Sequence, residues 1–535
     1  MKLAKSSGLL AALVFVSSSI FAAPAAMTED QARHLLVRSG FAPTQMEVDR
    51  LTGLSAQKAV TDIIAQARVA KPLHPAPGFV TLPAPLANRY LKSKEEQQAA
   101  RQQQMREGFE AKTWWMREMI EAPAPLQERM TLFWHNHFAT SQQKVISSQA
   151  MWAQHQLLRN SALGNFKTLL HAVAKDPAML VYLDGANSRK EAPNENFARE
   201  VMELFTLGEG SQGGGYTEAD IKEAARAFTG WSVNRDDHQF VVRPAFHDNG
   251  SKTLLGRSGN FDGDAALDVM LEQPAAPRFI VTKLWKEFVS PVPDKAEVER
   301  IALKFRHNNF DISGVVKDLL LADAFWSADN RGSLIKSPVD LVVGTVRQFG
   351  FSYSDVMPFT LKTAQLGQNL LIPPNVKGWP GYTDWINATT LLERKRFSEQ
   401  LFRAVDAPDT PRNAKMAMDM APDTTANMTE SMRPRARILA EFAGDRGRGS
   451  NKQAIGGMGR EGIMRVADAA AAIRFDPETW LAQYGGHADR EPTDEEKERL
   501  AHVVLASPAT QIIASGTVGV AYLRTLTLDP AYQLK

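Results

Sequence analysis

The sequence predicts a mainly α protein: a large multi-helix body carrying a small β-hairpin near residues 239–255. Three observations predict it. Apolar residues recur at helical spacing through most of the chain, Ser, Thr, Asp or Asn stands at the start of many of these runs, and only one segment alternates in the manner of strand.

Taken in order, Thr28-Glu29-Asp30 caps a first helix through Leu35 and Leu36, which Gly40 stops. A Pro-rich connector, Pro72 to Pro85, comes next. Lys92 to Glu121 reads as a long amphipathic helix, and Pro125-Leu126 opens another that runs into Trp134-His135-Asn136-His137-Phe138. Ser161 is placed to cap a helix ending near Lys175, and Asp176-Pro177 restarts it. Asn194 caps a helix that reaches Leu207 with Gly208 as its stop. Thr217 with Asp220 approximates a capping box for the helix carrying Arg226. Gln239–Ala245 and Lys252–Leu255, on either side of Asp248-Asn249-Gly250, read as the hairpin. Ser337-Pro338 starts a further helix, and Pro373-Pro374 precedes an aromatic loop.

The first residues have the order of a secretory leader. Lys2 and Lys5 precede an uncharged, mostly apolar run from Gly8 to Phe21, followed by small residues, so 1–23 is expected to be a signal peptide and the chain periplasmic or secreted. No integral membrane span is expected after cleavage. A helical domain over 27–404, a low-complexity connector or insertion over 405–462 and a C-terminal helical segment over 463–535 packing on the main domain complete the expected organisation. The 535 residues hold 62 Lys+Arg against 60 Asp+Glu, and the leader removes two of the lysines, so the remaining chain is neutral. That balance argues against nucleic acid as the main partner. The absence of cysteine excludes disulfides, thiolate metal sites and cysteine catalysis.

Several ordered segments carry a family resemblance. Phe133-Trp134-His135-Asn136-His137-Phe138, Asn194 to Glu200 with Met202-Glu203-Leu204, Ala227-Phe228-Thr229-Gly230-Trp231, His247-Asp248, Lys336-Ser337-Pro338, Pro373 to Gly381, and Ala506-Ser507-Pro508 together resemble the bacterial family called domain of unknown function 1800. The resemblance implies an exported, helical protein and names no reaction. It also implies a partner, since members often lie beside genes of a second exported family, number 1501, which looks sulfatase-like.

Candidate chemistry gathers at five places. His135 and His137, with Glu195, are candidate ligands of a divalent metal. Residues two apart on a helix lie about 200° around its axis, so both imidazoles can reach one ion only if the helix ends there. Glu195, Arg199 and Glu203 share one helical stripe, with Glu200 about 60° from Glu203. Glu200 and Glu203, with His247, are the candidate catalytic groups, and an ion ladder through Arg199 is the purely structural alternative. Asp184, Asn187, Arg189 and Asn194 frame a polar loop, and Asn187, Asn194, Arg199 and Arg226 are candidate substrate contacts. Trp379 and Trp385 offer aromatic faces suited to a glycan or envelope polymer. Met416, Met418 and Met420 form a thioether set of the kind Cu(I) accepts.

No Gly-x-Ser-x-Gly, His-Glu-x-x-His, dinucleotide fingerprint or phosphate loop is present. Two functions are therefore expected: a metal-dependent hydrolase or lyase acting on an envelope or extracellular polymer, or a non-catalytic scaffold or binding partner of another exported protein.

Overall fold

The computed structural model describes residues 23–81, 93–210, 213–234, 239–406 and 459–535. The expected leader, the later part of the Pro-rich connector, most of the expected low-complexity connector and the Met416, Met418, Met420 set lie outside the described residues.

The described chain is mainly α. The first helices are α1 (Glu29–Ser39), α2 (Gln45–Leu51), α3 (Ala56–Val69) and the 28-residue α4 (Lys94–Glu121). Next come α5 (Pro125–His137), α6 (Ser148–Asn160), α7 (Phe166–Ala174) and α8 (Pro177–Tyr182). Local capping chemistry sets many of these boundaries. Thr28 closes a reciprocal capping box with Gln31, and Asp176 caps α8 through the Met179 amide with Pro177 in the first turn. Ser161 is the C-cap of α6 rather than the start of the next helix; Asn165 caps α7, because its Oδ1 reaches the Thr168 amide.

α9 (Glu195–Glu200) starts at Asn194 as expected but does not remain α-helical. It widens into a π-helical turn over Val201–Thr206, where the Leu207 amide donates to the Met202 carbonyl and Thr206 Oγ1 donates to the Val201 carbonyl. Runs of π-helix are rare and occur mostly as single turns within α-helices, often at functional sites. α10 (Glu218–Ala227) comes after it, with the Thr217–Asp220 capping box in place.

The strand region differs from the expected single hairpin. β1 (Trp231–Val233) pairs antiparallel with β2 (Phe240–Val242), and β3 (Lys252–Leu254) with β4 (Arg257–Gly259). Both expected strand runs are real, but each takes another partner. Leu255 and Gly256 both lie at positive φ and make a tight turn into β4, while the Asp248 and Gly250 carbonyls accept hydrogen bonds from Lys252 Nζ instead of closing a hairpin turn.

Beyond the strands lie α11 (Gly263–Glu272), α12 (Ala275–Phe288), α13 (Lys295–His307), α14 (Ile312–Leu321), α15 (Asp323–Trp326), α16 (Pro338–Phe349), α17 (Met357–Gln365) and α18 (Ala388–Asp406). Gly459–Ala471, Pro477–Ala482, Asp494–Val504 and Gly519–Leu528 are also helical.

Two large apolar clusters hold these elements. One joins α1–α3 and α7–α14; the other joins α4, α6, α16–α18 and the C-terminal helices through Val342, Phe349, Phe402, Leu481, Leu500 and Leu523. α5 bridges them: Met130 and Trp134 belong to the first, Leu132 to the second. Because α5 is buried on nearly every side, its polar side chains are held in the interior and must find partners there. Among the described residues, no helix is long and apolar enough to cross a membrane.

Candidate functional site

The two motif histidines on α5 point into different parts of the interior. His135 Nε2 lies 3.0 Å from His155 Nδ1, with the Trp115 ring tilted over it; burial pushes its pKa down to about 3. His137 donates Nε2–H to the Phe205 carbonyl of the π turn at 3.1 Å, and its Nδ1 is buried without a partner among the described residues. Glu195, meanwhile, is exposed. Among the described residues, no three His, Asp or Glu side chains converge where one ion could be held. α5 does end at His137, yet the 200° separation still sends His135 toward Trp115 of the second core cluster and His137 toward Phe138 of the first.

The other expected residues are held as follows. Arg199 makes a bidentate pair with Glu218, at 2.6 Å to both oxygens, in place of a ladder with Glu195 and Glu203. Asn194 is a helix cap that also donates to the Leu183 carbonyl, and Asn187 is exposed in a 3₁₀ turn. Arg226 holds Asp248 (2.7 Å) and Glu223 (2.9 Å), which keeps the Asp248 carboxyl down at about 2. His247 Nδ1 donates to the Thr229 carbonyl at 2.8 Å. The His-Asp dipeptide thus clasps its loop onto the end of α10. Glu200 and Glu203 are half-buried on α9 and its π turn. Burial, then the neighbouring Glu203 charge, raises the pKa of Glu200 against the opposing pull of Lys377 and Arg199. Neither acid lines the cavities of about 510, 1110 and 200 Å³.

Trp379 and Trp385 are 5% and 6% exposed and pack in the second core cluster, so their faces are not presented to solvent. The loop that carries them is pinned by a residue the sequence marks only as part of a motif. Asn136 Oδ1, between the two histidines, accepts the Trp379 amide at 2.6 Å. Gly378 has φ +90°, and a Cβ there would sit 2.2 Å from Asn136 Oδ1 and 2.5 Å from its carbonyl oxygen. Gly378→Ala is therefore expected to destabilise the protein by about 3 kcal/mol, read from urea unfolding; a change within experimental error would show that the loop docks differently.

The arrangement with the clearest binding chemistry lies elsewhere, in a cleft of about 510 Å³ between α1, the start of α16 and the segment Glu498–Ala509. Two of the motif segments meet there, since Lys336 and Ala506-Ser507-Pro508 all line it. Beneath it lies Asp340, in the first turn of α16. It accepts the Ser337 amide in a capping box, Lys535 Nζ at 2.8 Å, and Arg129 Nη2. Arg129 and Lys535 outweigh its burial and hold the carboxyl far below the usual range. Arg129 also pairs with Glu287 at 2.6 Å.

Three further buried cations feel Asp340 without touching a carboxylate. Arg38 donates to the Phe288 and Val289 carbonyls at the end of α12 (3.1 and 2.9 Å) and to the Asn330 carbonyl. Arg394 donates to the Lys336 carbonyl (2.9 Å) and Gln533 Oε1 (3.1 Å). Lys336, 9% exposed, sets its ammonium 3.9 Å from the centre of the Tyr532 ring and forms no ion pair among the described residues. Burial pushes its pKa down to about 7; the Asp340 charge opposes the shift, and Arg394 and Lys535 add to it. Arg331 at the rim keeps a buried Nε–H with no acceptor. Val37, Phe41, Ala42, Val504 and Leu505 supply apolar walls. The sequence marks Lys336 only as part of a motif, and the pairing of Asp340 with Arg129 and Lys535 joins residues 211 and 195 positions apart.

Among curated proteins and among solved structures, nothing matches the chain. The model of a family described as "Protein of unknown function (DUF1800)" matches residues 34–512, which takes in the motif histidines, the π turn, Lys336 and the cleft-lining Ala506-Ser507-Pro508. On that match the chain belongs to the DUF1800 family.

Proposed function

We propose that this chain is an exported, non-catalytic binding protein whose cleft takes a small anionic ligand, a carboxylate or phosphate with an apolar portion. One observation carries the reading: Lys336 and Lys535 line a partly apolar cleft, and behind them Arg38, Arg129 and Arg394 complete a set of five buried cations around Asp340 and Glu287, while the other acids of the wall, Asp30 and Glu498, are exposed at its rim. A buried cation with no counter-charge is costly, and an entering anion lowers that cost with charge-assisted hydrogen bonds. The leader-like first residues support export to the periplasm or beyond. The family resemblance supports a 1501-family protein as the partner with which a bound ligand is shared. The alternative, a metal-dependent hydrolase or lyase on an envelope polymer, draws on Glu200 and Glu203, and among the described residues no third His, Asp or Glu joins them to hold an ion, which favours binding over it.

The test is thermal melting of the mature protein with inorganic phosphate and with citrate, against chloride at matched ionic strength. At about a hundred times Kd the anion is expected to add about 2.7 kcal/mol of stability. Lys336→Met, which removes the unpaired ammonium while filling its volume, is expected to abolish that gain. Equal melting in chloride, or an undiminished gain in the variant, would overturn the reading.

A further inference from the structure

A second, larger cavity of about 1110 Å³ runs along α4, away from the Lys336 cleft and independent of it. Arg101 and Arg117 mark its ends, about 24 Å apart at the helical rise per residue. Between them Met105, Phe109 and Lys112 continue from Arg101 along one stripe of the helix. Arg106 and Arg465 add to the same wall.

Its lining carries five cations, Arg101, Arg106, Lys112, Arg117 and Arg465, against three acids, Glu110, Asp355 and the exposed Glu461. Among the described residues, Arg101, Arg106, Arg117 and Arg465 form no ion pair. Two of the acids beside them are already engaged by backbone: Glu110 accepts the Gly78 amide at 2.8 Å and Asp355 the Met357 amide at 3.0 Å. Lys112 is buried in the floor with a single acceptor, Asn369 Oδ1 at 2.9 Å, so the remaining N–H bonds of its ammonium have no partner among the described residues. Burial alone pushes its pKa down to about 7, as expected of an amine with no carboxylate nearby.

The rim is apolar in a particular way. Met105 and Ile146 stand 39% and 50% exposed, a thioether and a branched aliphatic chain left uncovered beside the arginines. Sugar rings stack on open aromatic faces; of the two aromatic residues that line this cavity, Trp114 is buried with its indole N–H bonded to the Pro75 carbonyl and Phe109 is half-buried, whereas the exposed apolar groups are Met105 and Ile146. Side chains such as Met105 and Ile146 are instead covered by the apolar side chains of a polypeptide. Gln142 and Asn369 also line it, their amides bonded to α4: Gln142 Nε2 donates to the Gln104 carbonyl at 3.2 Å, and Asn369 Oδ1 accepts Lys112 Nζ at 2.9 Å.

We propose that the groove along α4 docks an extended acidic peptide segment of a partner protein. Its carboxylates meet Arg101, Arg106, Arg117 and Lys112, and its apolar side chains cover Met105 and Ile146. The occupant is assigned by charge complementarity and by the chemistry of the rim.

The test is fluorescence anisotropy of the full mature chain with a labelled synthetic peptide alternating Glu and Leu, compared with its Gln/Leu counterpart and with poly-glutamate, and with polygalacturonate as unlabelled competitor. The Glu/Leu peptide is expected to bind at least about tenfold more tightly than the Gln/Leu peptide, with affinity falling as salt rises. Arg101→Glu with Arg106→Glu, both surface positions, is expected to cost about tenfold, whereas Arg278→Glu, at an exposed position of α12 outside the groove, leaves binding unchanged. Met105→Ser with Ile146→Ser is expected to weaken the Glu/Leu peptide several-fold and leave poly-glutamate unaffected. Equal binding of the Gln/Leu peptide, indifference to the Arg101/Arg106 reversal, or equal loss with Arg278→Glu would overturn the proposal. So would displacement by polygalacturonate combined with indifference to the Met105/Ile146 change, which would assign the groove to an acidic polysaccharide.

Discussion

Between pH 7 and pH 4.5 the protein is expected to lose stability on the order of 5 kcal/mol, and the interior histidines are the cause. His34 and His135 are pushed by burial down to about 3, and His137 and His155 are held well below 6.5 by the same burial. A group whose folded pKa is depressed contributes its full stabilisation above the unfolded value, near 6.5, and that contribution drains away as pH falls toward the folded value. Each histidine therefore costs about 1.4 kcal/mol for every pH unit below 6.5, because the unfolded chain takes up the proton that the core refuses. Asp176 works in the opposite sense. Burial raises its pKa to about 7, so the folded state gains protons on the unfolded one between pH 7 and 3.8 and is stabilised by acid over that window; Glu128 is raised in the same direction. Four histidines against two carboxylic acids leave a net loss. Urea unfolding at a series of pH values reads it directly, and a midpoint that is level or rises from pH 7 to 4.5 would sink the account. Replacing the His135–His155 pair by Phe and Leu is expected to remove a large part of the slope.

The second large effect is expected at Arg129. Its guanidinium, almost fully buried, holds Asp340 and Glu287 and donates its Nε–H to the Gly40 carbonyl, while lying over the Phe41 ring. Arg129→Met keeps much of the volume and leaves both carboxylates and that carbonyl short of a donor. Breaking a buried pair from one side costs about 3–5 kcal/mol, since the abandoned charge stays in a poorly hydrated place. Lys535 still reaches Asp340, which keeps the loss from being larger. The exposed pair Arg278–Glu299 provides the contrast: Arg278→Met is expected to cost less than about 1 kcal/mol. Equal costs for the two variants, measured by denaturant unfolding, would mean that the Asp340 network is not the electrostatic keystone of this region.

Much of the helical framework was legible because it is set locally. Thr28, Asp176, Asn194, Thr217 and Ser337 each bond an amide within three residues, and such signals survive in a bare sequence. The strand pairing was less legible, since nothing in Leu255 announces a backbone at positive φ. The site was harder still. His135 and His137 look like ligands to anyone counting imidazoles, yet α5 is enclosed on almost all sides and turns them into core residues. Trp379 and Trp385 look like sugar platforms and are anchors. Lys336 and Asp340, conversely, gain their meaning from Arg38, Arg129, Arg394 and Lys535, whose positions only the tertiary fold brings together. The π turn under Glu203 left no mark on the apolar pattern.

The bond from Asn136 to the Trp379 amide spans 243 residues of chain, and its neighbour from Gln142 to Leu371 spans nearly as many. Contacts of such separation form late, because a long stretch of polypeptide has to be gathered before they return any free energy. For a chain exported as we propose, slow closure keeps the polypeptide threadable through a narrow translocation channel, and the same delay lengthens the interval in which a periplasmic chaperone has to shield it.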